Sequence, residues 1–176
     1  KNRKKTMQVP FLSLKDITAK YADELHEAVL RVTDSGWYLQ GNENKRFEED
    51  YAKYIDTKYC VGVANGLQAL ELMIRACKIL NGWNDGDEII VQANTYIATI
   101  LSISQNNLKP VLIDPNPDTL ELDVEAIEKA ITPKTRGLML VHLYGRCLYN
   151  EKIDGLCKKY GLKLFEDNAQ AHGCAY

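Results

Sequence analysis

The chain has 176 residues and a net charge of −2, with a pI near 6.0. That length is enough for one α/β domain with a substantial core, and the charge balance gives no reason to expect nucleic acid or an anionic membrane as partner. No apolar run is long enough to span a bilayer, and no apolar segment follows the basic start as a secretory leader requires.

Residues 1–8, opening with "KNRKK", are expected to form a flexible, solvated tail. Residues 14–34 carry Leu14, Ile17, Tyr21, Leu25, Ala28 and Val32 at helical spacing, and 43–55 place Phe47, Tyr51 and Ile55 on one side of a second helix. "YCVGVA" (59–64) reads as a strand. "GLQALELMIRACKIL" (66–80) reads as an amphipathic helix with Leu67, Leu70, Ile74, Cys77 and Leu80 inward. Strands are then expected at 88–93, 109–115, 136–143 and 162–167, with helices at 95–105, 124–131 and 151–160 between them. Asp123 and Asn150 are candidate N-caps, Pro133 stops the helix before it, and Gly161 suits a helix C-terminus.

Several of these strands are continuously apolar, as a parallel sheet buried on both faces requires. Strand–helix alternation with short connections gives the fold class: α/β, a three-layer α/β/α sandwich with a mostly parallel sheet. The five cysteines contain no CxxC pair, and Cys60, Cys77 and Cys157 fall in expected strands or helices. Reduced thiols in the cytoplasm, with no metal site, are the expectation.

In such a sheet ligands collect beyond the carboxyl ends of the strands. Gly66 stands where an expected strand turns into a helix, and free amides at a helix start bind phosphate; an Asn-Gly pair there is also a common turn. GxGxxG and GxxxxGK[ST] are both absent, which disfavours dinucleotide and P-loop chemistry. Asp167 ends "LKLFED", on a strand expected to be central, where an unpaired carboxylate is costly. Capping a following helix is its bland role. The chemically informative one is to pair with a cation such as the protonated ring nitrogen of pyridoxal phosphate. Tyr96 is by default a core or helix-face aromatic that could equally stack on that ring, and Gln170 could reach its phenolic oxygen.

The blocks "GWYLQGNENKRFEEDYAKYI" (36–55), "VANGLQALELMIRA" (63–76), "GDEIIVQANTYIATILSI" (86–103), "PVLIDPNPDTLELDVEAIEKAITPKTRGLMLVHLYGR" (110–146) and "EDNAQAHGCAY" (166–176) follow one another collinearly. Together they resemble the DegT/DnrJ/EryC1/StrS family of pyridoxal-phosphate sugar aminotransferases of fold type I, with residues 9–176 as the N-terminal part of the large, cofactor-binding domain. The resemblance implies that the Gly66 and Leu67 amides hold the cofactor phosphate, Tyr96 stacks on its ring, Asp167 pairs with the ring nitrogen, and Gln170 lies near the phenolic oxygen. Many members read Ser-Gly-Thr where this chain has Asn65-Gly66-Leu67, so a hydroxyl contact is lost and main-chain donors remain. It also implies an amino donor, glutamate, and a nucleotide-linked keto sugar as acceptor, with a dTDP-3-keto-6-deoxyhexose suggested by the Asn-Gly-Leu and Asn-Thr-Tyr variants, and a homodimer.

Trp37, Tyr38 and His172 are candidates for lining the sugar site, each with a packing role as the alternative. The family's Schiff-base lysine is expected downstream of Tyr176, which makes the chain a truncated, inactive piece of its parent with no catalytic lysine of its own. Lys163 precedes Asp167 inside the last strand and matches no such position. A non-catalytic binding remnant and a cofactor-dependent sugar dehydratase on the same fold are the competing readings, separated by the residue at that downstream position.

Overall fold

A computed structural model describes residues 9–176; the basic tail lies outside the described residues. The chain divides into two compact units, with the boundary after Gly62.

The first unit is helical. The long helix expected over 14–34 is two: α1 (Leu14–Lys20), capped by the Ser13 hydroxyl, and α2 (Ala22–Ser35). Tyr21 leaves helical geometry between them, at φ −121° and ψ 19°. Gly36 closes α2 in the left-handed region, at φ 65°, where the absence of Cβ removes the steric cost. α3 (Asn42–Ile55) follows. Arg31 joins α2 to α3, its guanidinium lying 2.8 Å from Glu27 and 3.0 Å from Glu43. Ala52 is the one buried residue of these three helices, so their apolar stripes form without a core beneath them.

Residues 59–64 are not a strand. Their backbone donors go to side chains instead of a ladder: Gly62 N–H donates to the Glu48 carboxylate at 2.7 Å, and Ala64 N–H to Gln68 Oε1 at 3.0 Å. Cys60 therefore sits in irregular chain, whereas Cys77 and Cys157 lie in helices. All five cysteines are free.

The second unit carries the sheet. Its elements are α4 (Gly66–Asn81), β1 (Glu88–Gln92), α5 (Ile97–Ser104), β2 (Lys109–Ile113), α6 (Val124–Ala130), β3 (Thr135–Val141), a 3₁₀ turn (Leu143–Gly145), α7 (Glu151–Tyr160) and β4 (Lys163–Asp167). The strands run parallel in the order β2-β1-β3-β4. Side-chain alternation divides the core between the two faces. Ile90, Leu138 and Leu140 meet Ile127 of α6 and Ile153 of α7; Ile89, Val91, Met139 and Phe165 meet Ile74 of α4 and Ile103 of α5. This is a three-layer α/β/α arrangement, and each fully buried Ile or Leu contributes about 1.5–3 kcal/mol. A Cβ added to Gly137 would stand 2.8 Å from the Phe165 ring and 2.9 Å from the Lys163 carbonyl, so glycine is what lets β3 and β4 close.

Two sequence expectations are corrected within this unit. Among the described residues β4 is not central: it pairs with β3 alone, and Lys163 and Glu166 are exposed. Leu80 does not face inward, because α4 ends over solvent there; it is 83 % exposed.

Candidate active site

At the carboxyl ends of β3 and β4 the second unit encloses a cavity of about 510 Å³, within the range of small-molecule sites. Asn65, Gly66, Leu67 and Leu70 line it from the start of α4. Tyr96, Ile97, Ala98 and Leu101 line it from the start of α5, and Val141, His142 and Leu143 from the end of β3. Asp167, Ala169 and Gln170 complete it from β4 and the turn beyond.

Each wall has a local cause. Asn65 caps α4, its side chain accepting from Gln68 N–H while its carbonyl takes Ala69 N–H. The amides of Gly66 and Leu67 belong to the first turn, where a helix has no partner of its own to offer them. With the helix dipole behind them they can bind an anion. Tyr96 is the N-cap of α5; it is 73 % exposed and forms part of the cavity wall.

Asp167 is half-buried and is held by two donors. Thr99 Oγ1 donates to Oδ2 at 2.8 Å, and Ala169 N–H donates to Oδ1 at 3.1 Å. The bland role considered for it, satisfying amides of the following turn, is thus present, on one oxygen, beside its place in the cavity wall. A carboxylate oxygen accepts more than one hydrogen bond, so the group can still face a cation. Gln170 Oε1 accepts from Tyr144 N–H at 2.8 Å, which leaves the Nε2 end as the donor. That contact steadies a loop in which Tyr144 (φ 60°) and Gly145 (φ 81°) are both left-handed, at a cost of about 1–2 kcal/mol for the tyrosine.

His142 is fully buried. Leu148 N–H donates to its Nδ1 at 3.0 Å, so the neutral ring carries its proton on Nε2 and donates it to Glu166 Oε2, 2.9 Å away. Its backbone N–H donates to the Asp167 carbonyl at 3.1 Å and extends the β3–β4 pairing by one residue.

Gly66, Leu67, Tyr96, Asp167 and Gln170 therefore meet in one cavity, although they come from separate parts of the second unit. His172 is exposed and is not among the lining residues. Trp37 and Tyr38 belong to the first unit, where both are exposed; Trp37 N–H donates to Ser35 Oγ at 3.1 Å. Among the described residues no lysine lines the cavity, and Lys163 is exposed at the far end of β4. Sequence reasoning reaches His142 and Thr95 only as members of the polar breaks that end apolar runs, and does not reach Thr99. The available signal for Thr99 was a hydroxyl in the first turn of a helix that starts just beyond a strand end.

A family model described as the DegT/DnrJ/EryC1/StrS aminotransferase family matches residues 19–176. The dTDP-3-amino-3,6-dideoxy-alpha-D-galactopyranose transaminase of Aneurinibacillus thermoaerophilus is 49% identical over 168 residues, covering 96% of this chain and 45% of the relative. The dTDP-3-amino-3,4,6-trideoxy-alpha-D-glucose transaminase of Streptomyces venezuelae is 43% identical over 175 residues, covering 99% of this chain and 45% of the relative. Among solved structures, S. venezuelae DesV in complex with a ketimine intermediate superposes with a TM-score of 0.89 at 43% identity, covering 96% of this chain and 44% of that one. The chain spans less than half the length of these relatives.

Proposed function

The chain belongs to the DegT/DnrJ/EryC1/StrS aminotransferase family, and from that membership we propose that the protein containing it is a pyridoxal-phosphate-dependent sugar aminotransferase. It moves an amino group from glutamate to a nucleotide-linked keto sugar, a dTDP-3-keto-6-deoxyhexose, in the making of deoxyamino sugars. Both relatives above are named as transaminases of dTDP-linked 3-amino sugars. The observation that carries the reading is the cavity itself, where an anion-binding helix mouth, an aromatic ring and a carboxylate line one space.

The residues present fit the cofactor. The Gly66 and Leu67 amides would hold the phosphate, and Tyr96 would cover one face of the ring. Asp167 would accept from the ring nitrogen and keep it protonated, while Gln170 Nε2 would donate to the phenolic oxygen. When bound, the cofactor supplies an electron sink and the carbon that carries the amino group. Leu70, Ile97 and Leu101 give the cavity apolar wall. His142 holds the end of β3 against β4 through its ring and its backbone, and so fixes where Asp167 begins.

The lysine that bonds the cofactor and moves the substrate proton lies, in this reading, downstream of the described chain. The 176-residue chain alone then has no covalent link to the cofactor and turns nothing over. The intact protein acts as a homodimer. The test is to supply the full-length protein with glutamate and dTDP-3-keto-6-deoxyglucose or its galactose epimer, and to follow the sugar by mass spectrometry. A product about 1 Da heavier, as replacement of a carbonyl oxygen by an amino group and a hydrogen requires, with one 2-oxoglutarate per sugar, supports the reading; an unchanged sugar, or one that has lost water with no 2-oxoglutarate formed, refutes it.

A further inference from the structure

Thr99 is fully buried and belongs to the first turn of α5. Its N–H donates to the carbonyl of Tyr96 at 3.1 Å, and its hydroxyl donates to Asp167 Oδ2 at 2.8 Å. One residue thus ties together two walls of the cavity that are 68 positions apart at the hydroxyl contact. The hydroxyl has a single proton, already directed at the carboxylate, so the 2.9 Å contact between Thr95 Oγ1 and Thr99 Oγ1 has Thr95 as donor. The chain of hydrogen bonds runs one way, from Thr95 through Thr99 to Asp167.

That latch matters because of where Asp167 stands. It is the last residue of β4, and the chain turns away directly beyond it. A half-buried side chain there has rotamers to lose, and the hydroxyl together with Ala169 N–H selects one of them. We propose that Thr99 is a positioning residue, backed by Thr95, that sets the Asp167 carboxylate in register with Tyr96 so that a flat cationic ring meets both. The proposal rests on the cofactor reading above and adds to it the group that orients the ring-nitrogen contact.

The test uses the full-length protein and pyridoxamine 5′-phosphate, which needs no bond to lysine, with its 1-deaza analogue, in which carbon replaces the ring nitrogen. Thr99→Val keeps the volume and removes the hydroxyl; Thr99→Ser restores it. Thr99→Val is expected to weaken the natural ligand about tenfold, the scale of a lost hydrogen bond to a charged group. It should also shift the bound ligand's absorption maximum, while affinity for the deaza analogue stays within about twofold. Thr99→Ser should recover affinity and spectrum. Equal losses on both ligands, or no loss on either, would overturn the proposal, because a purely structural threonine cannot distinguish a ring nitrogen from a carbon. Should Thr99→Val not fold, Thr95→Val carries the same comparison with about a threefold loss expected for the natural ligand alone. Wild-type protein that binds neither ligand would overturn the cofactor reading and this proposal together, a result separable from wild type that binds both and a Thr99→Val that matches it.

Discussion

The two units of this chain have similar periodicity and different interiors. In α1–α3 the apolar residues recur at helical spacing, yet Leu25 is 44 % and Val29 62 % exposed and Ala52 alone is buried. In the second unit the same spacing along α4 and α7 leads Ile74 and Ile153 onto a sheet, and both are buried. An amphipathic pattern specifies that a face exists. It does not specify what covers the face, and only a second layer turns periodicity into stability.

The widest separation between the units should appear in cavity-forming substitutions. Ile74→Ala, Leu138→Ala and Ile153→Ala each remove a fully enclosed side chain and should cost about 2–5 kcal/mol in urea unfolding. Leu25→Ala and Val29→Ala should cost less than about 1 kcal/mol in the same measurement. Equal losses in the two sets would show that α2 is as well packed in solution as the sheet, and the contrast would fail.

Substitutions at the candidate site sharpen the comparison in functional terms. Asp167→Ala in the full-length protein should lower turnover by at least about a hundredfold, roughly 2.7 kcal/mol, because a ring-nitrogen partner acts on the chemical step itself. Trp37→Ala and Tyr38→Ala, in the first unit, should act mainly on KM for the sugar, by about tenfold or less. Unchanged turnover in Asp167→Ala would remove its assigned role. A smaller contrast lies in the thiols. Burial pushes the Cys157 thiol up to about 11, so it should be the last of the five to be alkylated at neutral pH, well after Cys60, when modification is followed by peptide mass.

Local signals carried much of this fold. Asp123 accepts from Glu125 N–H, Asn150 from the amides of Lys152 and Ile153, and Gly161 is left-handed at φ 65°, each a cap whose chemistry is contained within a few residues. The continuous apolar runs also mark the parallel strands, since both faces of the sheet are covered. What periodicity does not encode is neighbour order. β4 reads as central from its composition and stands last in the order of the four described strands, and 59–64 has the residues of a strand with its donors claimed by Glu48 and Gln68. At the site, Gly66, Tyr96 and Asp167 follow from where apolar runs end. Thr99 does not, because its importance lies in one contact with a residue far along the chain.

Two carboxylates give the finest test of the contrast. Glu88, buried at the start of β1, is held below the usual carboxylate range by the Thr132 hydroxyl at 2.6 Å, opposed by burial, and by Lys109 at 3.0 Å. Glu43, in the first unit, is also lowered, first by its hydrogen bond to Arg31. A carboxyl with a depressed folded value contributes stability above its unfolded value, near ~4.3 for glutamate, and loses that contribution as pH falls through the folded value. Both ion pairs should therefore fade in acid, and the thermal midpoints of Glu88→Gln and Glu43→Gln should approach that of the wild type below about pH 4. Salt separates them. The Arg31–Glu43 pair is open to water and should be screened by about 1 M NaCl at pH 7, so that Glu43→Gln then costs nothing measurable. The Glu88 carboxylate is buried and accepts from a neutral hydroxyl as well as from the exposed Lys109, so most of the Glu88→Gln deficit should survive the same salt. A deficit at Glu88 that vanishes in salt would place that end of β1 in water, and the sheet's closed base would have to be given up.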